Sequence, residues 1–159
     1  MRKFCAVLAA CMGLSLLCST AVSETSAVAY SRQQLLELAK QMREETKNSL
    51  TPEASPLEKH LDASTILAFR NKDGKAELHE QAADVFFVLE GAATLVTGGT
   101  IANPATTAPG EIRGSAVQQG SRRDLKEGDI AHIPAGVSHQ VLVPRGGSFT
   151  YFVVKVPLK

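Results

Sequence analysis

The sequence contains no tryptophan, and aromatic residues make up only 5% of its 159 residues. A core therefore has to be built chiefly from Val, Ile, Leu and Ala, with the six phenylalanines as larger pieces. The length fits a single domain. An excess of charge is also lacking, since 17 Lys and Arg face 16 Asp and Glu. This balance gives no reason to expect nucleic acid or an anionic membrane surface as a partner.

Cysteine is equally scarce, and all three cysteines lie within one apolar N-terminal run: Cys5, Cys11 and Cys18. The run spans residues 4–18, follows two basic residues and is too short for a comfortable membrane span. Small residues after it suit cleavage by signal peptidase after Ser23 or after Ala29. We therefore expect residues 1–29 to be a signal peptide and the mature chain to be secreted or periplasmic, without membrane contact.

Two alternatives to a cleaved signal peptide are a retained anchor and a lipid on Cys18. Lipoprotein processing requires a small residue before the cysteine, whereas Leu17 is large. Cleavage would leave a mature chain without cysteine, which excludes a disulfide framework and a thiol nucleophile.

Residues 30–60 are predicted to hold one helix and a connection. The stretch "SRQQLLELAKQMREE" has apolar residues at helical spacing, and Ser31 and Gln34 form a capping box at its start. Pro52 and Pro56 then interrupt regular structure. We expect the helix to cover one face of the main domain.

Residues 61–159 change to the pattern of short strands. Runs such as "STILAFRN", "DVFFVLEG", "ATLVTGG" and "SFTYFVVKV" are separated by Asp-Gly, Glu-Gly and Gly-Gly turn signals. Several runs are apolar at both parities, which suits strands buried on both faces of a sandwich or barrel. The fold class is thus predicted to be all-β with one N-terminal helix. Residues 98–126 lack a clear strand, apart from "AVQQGSRRDL", and are expected to form a rim loop.

Four side chains form a candidate metal site. In "ELHEQAADVFFVLEG", Glu77 and His79 are two apart on a predicted strand and share a face, and a hairpin can set Asp84 beside His79. In "GDIAHIPAGVSH", His139 begins another strand after a tight turn and can meet the others across a closed sandwich. Two imidazoles with one or two carboxylates suit a divalent metal such as Fe, Mn, Zn, Ni or Cu.

The two stretches resemble the paired motifs of the cupin superfamily. The second cupin motif, G-x5-P-x-G-x2-H-x3-N, is matched by Gly128, Pro134, Gly136 and His139, with Val143 in place of the final Asn. The resemblance covers most of the chain after the predicted signal peptide. It implies a single-domain jelly-roll barrel, also called a double-stranded β-helix, with a metal held inside by residues of both motifs.

The first cupin motif, G-x5-H-x-H-x3,4-E-x6-G, is matched with two replacements among its ligating positions. Gly91 sets the frame, which puts Asp84 at the Glu position, His79 at the second His and Glu77 at the first His. Both replacements are carboxylates, which also ligate metals. The resemblance therefore implies metal ligation by His79, Asp84, His139 and Glu77.

Other polar residues are given ordinary roles. Three arginines lie within the predicted loop, and we expect a solvated surface for them rather than bidentate binding of a substrate carboxylate: Arg113, Arg122 and Arg123. Glu80 has the opposite parity to His79 and should point outward. Gln140 is a polar candidate at the barrel mouth, His132 is expected to be a partly buried core histidine, and His60 a surface residue.

No nucleophilic triad or phosphate loop can be assembled, because the sequence has neither a G-x-S-x-G elbow nor a P-loop. The leading hypothesis is a secreted cupin that binds a divalent metal and a small organic ligand. Such a protein can be a metal-dependent enzyme of unspecified reaction. The alternative is a non-catalytic carbohydrate- or metabolite-binding cupin with a degenerate metal site. A homodimer is a further expectation, since cupins often associate through strand edges.

Overall fold

The computed structural model describes residues 29–47 and 64–159. Nearly all of the predicted signal peptide, together with Pro52, Pro56 and His60, lies outside these ranges, so the predictions for them are not tested. Within the described ranges, no helix combines the length and apolar character that a membrane crossing needs. The described elements are α1 (Arg32–Lys47), β1 (Ser64–Arg70), β2 (Ala76–His79), β3 (Ala82–Thr97), β4 (Thr100–Ala102), β5 (Ala105–Ala108), β6 (Glu111–Gly114), β7 (Ala116–Gln118), β8 (Ser121–Lys126), β9 (Ile130–Ile133), β10 (His139–Leu142) and β11 (Phe149–Pro157).

Nine strands form one curled antiparallel sheet. Its order is β1-β11-β3-β10-β2-β6-β5, and β8 and β9 also pair with β3. The first half of β3 pairs with β11 and β9, and the second half pairs with β8 and β10. Because the two halves of β3 pair with different sets of strands, the sheet folds over on itself and forms two layers that share β3. The predicted all-β fold with one helix is confirmed.

The long strand β3 replaces two predicted strands. The Glu-Gly pair at residues 90–91 was expected to be a turn, but β3 continues through Gly91. Gly91 has a φ of +81°, and a Cβ atom there would collide with the carbonyl oxygen of Ser148. A register shift at Thr150 and Tyr151 of β11 lies beside it. Glycine therefore bends this strand instead of ending it.

Residues 98–126 are not a rim loop, and that prediction was wrong. They hold β4 to β8, of which β4 and β7 pair as a separate two-stranded sheet and β6 and β5 extend the main sheet beyond β2. The four strands β4 to β7 are three or four residues long and have no fully buried residue. The alternating apolar signal of a strand is absent because neither face of these strands is packed into a core.

Helix α1 packs on the outer face of the sheet. The backbone amide of Gln34 donates to Ser31 Oγ at 3.2 Å, and the Ser31 amide donates to Gln34 Oε1 at 2.8 Å, which confirms the capping box. The cluster under the helix consists of Leu35, Ala39, Met42, Leu67, Phe69 and Leu89. The predicted cover of one face is therefore confirmed.

Alternate residues of the same strands point into the barrel. On β1, Leu67 and Phe69 face the helix, whereas Ala68 belongs to the main core. On β11, Tyr151 and Val153 belong to that core. One step further along each strand, Arg70 and Lys155 keep the inward parity and line a cavity. Arg70 and Lys155 lie near opposite ends of the antiparallel pair of β1 and β11, and both side chains add charge to the wall of the cavity.

Candidate metal centre

The strand pairing brings the four predicted ligands together. Glu77 and His139 are register partners between β2 and β10, and His79 ends β2 on the same face as Glu77. A two-residue turn leads from β2 into β3, where Asp84 lies. His79, Asp84 and His139 are each only 3% exposed, and the Glu77 side chain is 23% exposed. Residues far apart in sequence therefore share one buried pocket.

The Nε2 atoms of both histidines face the same carboxylate oxygens. Asp84 Oδ2 lies 3.3 Å from His79 Nε2 and 3.5 Å from His139 Nε2. Glu77 Oε2 lies 3.6 Å and 3.9 Å from the same two nitrogens. Glu77, His79 and His139 each offer one ligand atom, and these three atoms lie within 4.8 Å of one another, which is close enough to hold a metal ion. Asp84 is outside that group of three, although its Oδ2 is nearer to both rings.

The other ring nitrogens are held by acceptors. His139 Nδ1 lies 3.2 Å from the Val137 carbonyl oxygen, which can only accept, so Nδ1 carries the hydrogen and neutral His139 has its lone pair at Nε2. His79 Nδ1 lies 2.7 Å from Glu111 Oε2 and donates to this carboxylate. Such outer partners orient histidines for metal binding in known sites. Both Nε2 atoms are thereby directed into the pocket.

His79 Nε2 is buried and has no well-aligned hydrogen-bond partner among the described residues. The nearby Asp84 oxygen at 3.3 Å makes an electrostatic contact of poor hydrogen-bond geometry. A buried polar atom without a well-aligned hydrogen bond is rare in a folded protein, and a bound ion would satisfy it. The atom fits a metal ligand.

Three cations surround the two carboxylates. Lys155 Nζ lies 2.9 Å from Asp84 Oδ1, Arg113 pairs with Glu77, and Arg70 Nη2 lies 3.7 Å from Glu77 Oε1. Burial alone would raise the pKa of Glu77, but the interactions with His79 and Arg113 lower it to about 2. Burial likewise opposes ionisation of Asp84, yet both histidines and Lys155 hold its pKa well below the usual range. Both carboxylates are therefore ionised at neutral pH.

His79 responds to these carboxylates. Burial would lower its pKa, but Asp84 and Glu77 outweigh burial and raise it to about 9. Without a bound cation, the cluster therefore keeps a proton on His79 near neutral pH. A metal ion and this proton would compete for the same nitrogen.

Several residues of the site were not found from the sequence, or were misjudged. Arg113 was expected on the solvated surface, but its side chain is only 30% exposed and pairs with Glu77 and Glu111. Glu111 lay in the supposed loop and faces His79 only because β6 pairs with β2. Lys155 had a readable signal, since it is a single charge within the apolar strand "YFVVKV".

The remaining polar candidates are placed away from the metal cluster. His132 is exposed, so the prediction of a partly buried core histidine was wrong; its parity partner Ile130 is exposed too. Glu80 is exposed as expected. Gln140 is buried, and its Nε2 donates to the Gly74 carbonyl at 2.8 Å while its Oε1 accepts from the Val117 amide at 3.0 Å. It joins neighbouring chain segments, and it lines the same cavity as Glu77 and Asp84.

Comparison with solved structures identifies the fold. No protein-family model matches the sequence, and no curated protein matches it. A Klebsiella pneumoniae protein, described as an uncharacterized conserved protein with a double-stranded β-helix domain, is 17% identical. The alignment covers 83% of this chain and 91% of that chain, with a TM-score of 0.53. The chain has a cupin fold. The predicted resemblance to the cupin superfamily is thereby confirmed for the architecture.

Two further structures give lower TM-scores with this chain. A Thermus thermophilus protein is 19% identical over 70% of this chain and 90% of its own, with a TM-score of 0.49. A cupin protein of Bacteroides fragilis is 11% identical over 69% and 80%, with a TM-score of 0.46. At these identities the likeness concerns the fold alone, and the function of this chain has to be argued from its own site.

Proposed function

We propose that this cupin binds one divalent transition-metal ion through His79, His139, Asp84 and Glu77, and holds a small organic ligand in the adjoining cavity. The carrying observation is the arrangement of the two rings. Both Nε2 atoms face the same Asp84 oxygen, and both Nδ1 atoms are held by acceptors. Two imidazoles with carboxylates suit Fe(II), Mn(II), Zn(II), Ni(II) or Cu(II).

The two carboxylates differ as ligands. Asp84 divides its oxygens, with Oδ1 on Lys155 and Oδ2 towards both rings. Glu77 Oε2 faces the rings but is also the oxygen that pairs with Arg113. We therefore assign Asp84 as the main carboxylate ligand and Glu77 as a fourth ligand or a base.

The cavity beside the cluster would hold the ligand. It has a volume of about 930 Å³, and its wall includes Glu77, Asp84, Phe86 and Tyr151. A bound metal would supply Lewis acidity or oxygen activation at this place. The chain itself supplies a partly apolar wall and charged groups that would orient a ligand.

Metal analysis of the purified chain tests the proposal. We expect about one divalent ion per chain by mass spectrometry after titration and buffer exchange. The double variant His79→Ala with His139→Ala should lose stoichiometric binding. His132→Ala is the matched control, because His132 is exposed on the outer face of β9. A wild-type chain that binds no divalent ion above background contradicts the proposal.

A second candidate is a non-catalytic binding module without a metal. It is favoured by the internal neutralisation of the carboxylates, since Lys155 pairs with Asp84, and Arg113 pairs with Glu77. A chain of this kind would keep its small-molecule binding in the double histidine variant. Its melting temperature would also be insensitive to chelators.

Export and dimerisation are proposals that rest mainly on the sequence. N-terminal sequencing of protein recovered from the periplasm or medium would identify the cleavage after Ser23 or Ala29. For a homodimer, the exposed pair Phe87 and Ile130, which are register partners of β3 and β9, offers an apolar surface. Light scattering on the mature chain tests it, and a monomer at all concentrations contradicts it.

A further inference from the structure

The cavity beside the metal cluster is richer in cations than in anions. Its charged wall consists of Arg70, Lys72, Lys75, Arg113, Arg122 and Lys155 against Asp73, Glu77 and Asp84. The chain as a whole has a net charge of only +1, so the excess is local. Glu77 and Asp84 are also the carboxylates assigned to the metal, and a bound divalent ion would make the cavity more positive still. Such a cavity favours an anionic ligand.

Arg70 contacts the cluster through Glu77 Oε1, whereas Arg113 pairs with Glu77 Oε2, the oxygen that faces the rings. Arg70 Nε donates to Tyr151 Oη at 2.8 Å, and the Arg70 side chain is 20% exposed. A Cβ atom at Gly74 would come within 2.8 Å of Arg70 Nη1, so the guanidinium lies directly against the backbone of this glycine. A side chain at position 74 would therefore displace the Arg70 guanidinium from this position.

The segment that carries Gly74 is itself fastened to β10. The Gly74 amide donates to the Val141 carbonyl at 2.8 Å, and Gln140 Nε2 donates to the Gly74 carbonyl at 2.8 Å. One residue earlier, Asp73 Oδ1 accepts from the Val143 amide at 2.8 Å. The Arg70 guanidinium therefore packs against a backbone segment that is held by hydrogen bonds, which keeps it in place before a ligand binds.

Tyr151 provides a second donor in the same wall. It is 3% exposed, and its Oη already accepts a hydrogen from Arg70. No acceptor for its own hydroxyl hydrogen is found among the described residues, and burial raises its pKa, so the phenol stays a neutral donor. The hydroxyl group lines the cavity together with Arg70.

We propose that the ligand is a small organic carboxylate, and that Arg70, assisted by the hydroxyl group of Tyr151, binds its carboxylate beside the metal centre. The planar guanidinium matches the two oxygens of a carboxylate. Glu77 lies between Arg70 and the metal cluster, since its Oε1 lies 3.7 Å from Arg70 Nη2 and its Oε2 lies 3.6 Å from His79 Nε2. A ligand with a second oxygen group could therefore reach both. This inference rests on the proposed metal function.

Titration calorimetry with malonate as the probe tests the inference, and malonamide serves as the neutral analogue of the same size. We expect the metal-loaded chain to bind malonate at least about tenfold more tightly than malonamide. Arg70→Gln should lose about tenfold or more of the malonate affinity. Gly74→Ala should also weaken malonate binding, because it displaces the guanidinium without removing its charge.

Arg123→Gln is the matched charge control, because Arg123 is exposed and does not line the cavity. The inference is overturned if malonamide equals malonate, if Arg70→Gln behaves like Arg123→Gln, or if inorganic phosphate binds more tightly than malonate. Metal content is measured separately in every variant, and the titration is repeated with metal-free chain. Malonate binding that depends on Arg70 in a chain that takes up no metal would support the anion site while the metal function fails. A metal-loaded chain that ignores malonate would overturn the anion site alone.

Discussion

The two faces of β1, β3 and β11 differ in the residues that they carry and in their roles. Outward residues such as Leu67, Phe69 and Leu89 pack under α1 in an apolar cluster. Inward residues at the end of the same strands are charged, with Arg70, Asp84 and Lys155 around the cavity. Neighbouring residues of one strand can therefore have different roles. Those that point outward stabilise the fold under the helix, and the charged ones that point inward line the candidate binding cavity.

The difference shows how the fold can tolerate a costly site. Buried charges lower stability unless they are paired, and here each carboxylate has a cationic neighbour. The apolar layer under the helix offsets that cost from the other side of the strand. Substitutions under the helix should therefore change the free energy of unfolding, and substitutions of the charged inward residues should change binding.

The largest effect is expected on the outer face. Phe69 is 6% exposed and lies under the Arg43 guanidinium, whose Cζ atom is 4.9 Å from the ring centroid. Phe69→Ala should lower the free energy of unfolding by about 3 to 5 kcal/mol through lost burial and a cavity. Denaturant titration measures this loss, and metal stoichiometry should be unchanged. Leu158→Ala, at a side chain 57% exposed, is the near-neutral control. Loss of metal with the fold intact would break the separation of the two faces.

A smaller effect is expected at the partner of His79. Glu111→Ala removes the acceptor of His79 Nδ1, so the ring loses its orientation. Metal affinity should fall about ten- to a hundredfold, as for other outer partners of ligating histidines. Competition with a chromophoric chelator measures it. Glu80→Ala serves as the control, because Glu80 is exposed on the opposite face. Equal affinities of the two variants would remove Glu111 from the site.

Lys155 should act in the opposite direction. Lys155→Met removes the cation that pairs with Asp84 Oδ1, so the cluster becomes more negative. We expect metal affinity to rise about tenfold and the metal-free chain to become less stable. The same competition assay and thermal unfolding measure the two changes, with Lys126→Met on exposed β8 as the control. A fall in affinity would mean that Lys155 supports the metal site rather than competing with it.

The smallest effect concerns protons. The pKa of His79 is raised from 6.5 to about 9 in the metal-free fold, so the ring is protonated at about pH 7. Metal binding through Nε2 should then release about one proton per ion, and the release should vanish as the pH rises through 9. Glu77 has a pKa of about 2 and contributes none in this range. Calorimetry in two buffers of different ionisation enthalpy counts the protons, and zero release at about pH 7 would contradict the charged ring.

The sequence predicted those parts of the fold and of the site that leave a strong pattern in neighbouring residues. The capping box at Ser31, the alternating strands and the spacing of Gly128, Pro134, Gly136 and His139 indicated the helix, the barrel and one half of the cluster. These signals survive because turns and buried strands impose fixed residue types at fixed distances.

The remaining residues of the site could not be predicted from the sequence, because their positions depend on which strands pair and in which register. Glu111 and Arg113 lie in a segment of short strands without an apolar pattern, and only the register of β6 against β2 brings them to His79 and Glu77. Arg70 meets Tyr151 only because β1 pairs with β11. Gly91 was taken for a turn because a glycine that bends a strand looks like one that ends it.

The central claim is that Nε2 of His79 and Nε2 of His139 bind one metal ion while their Nδ1 hydrogens stay bonded to Glu111 and Val137. Proton NMR of the chain loaded with one equivalent of Co(II) tests this directly, because the ion shifts nearby exchangeable N–H signals far downfield. We predict two such signals, with His79→Ala removing one and His139→Ala the other. A chain that holds its cobalt without either signal would contradict the account.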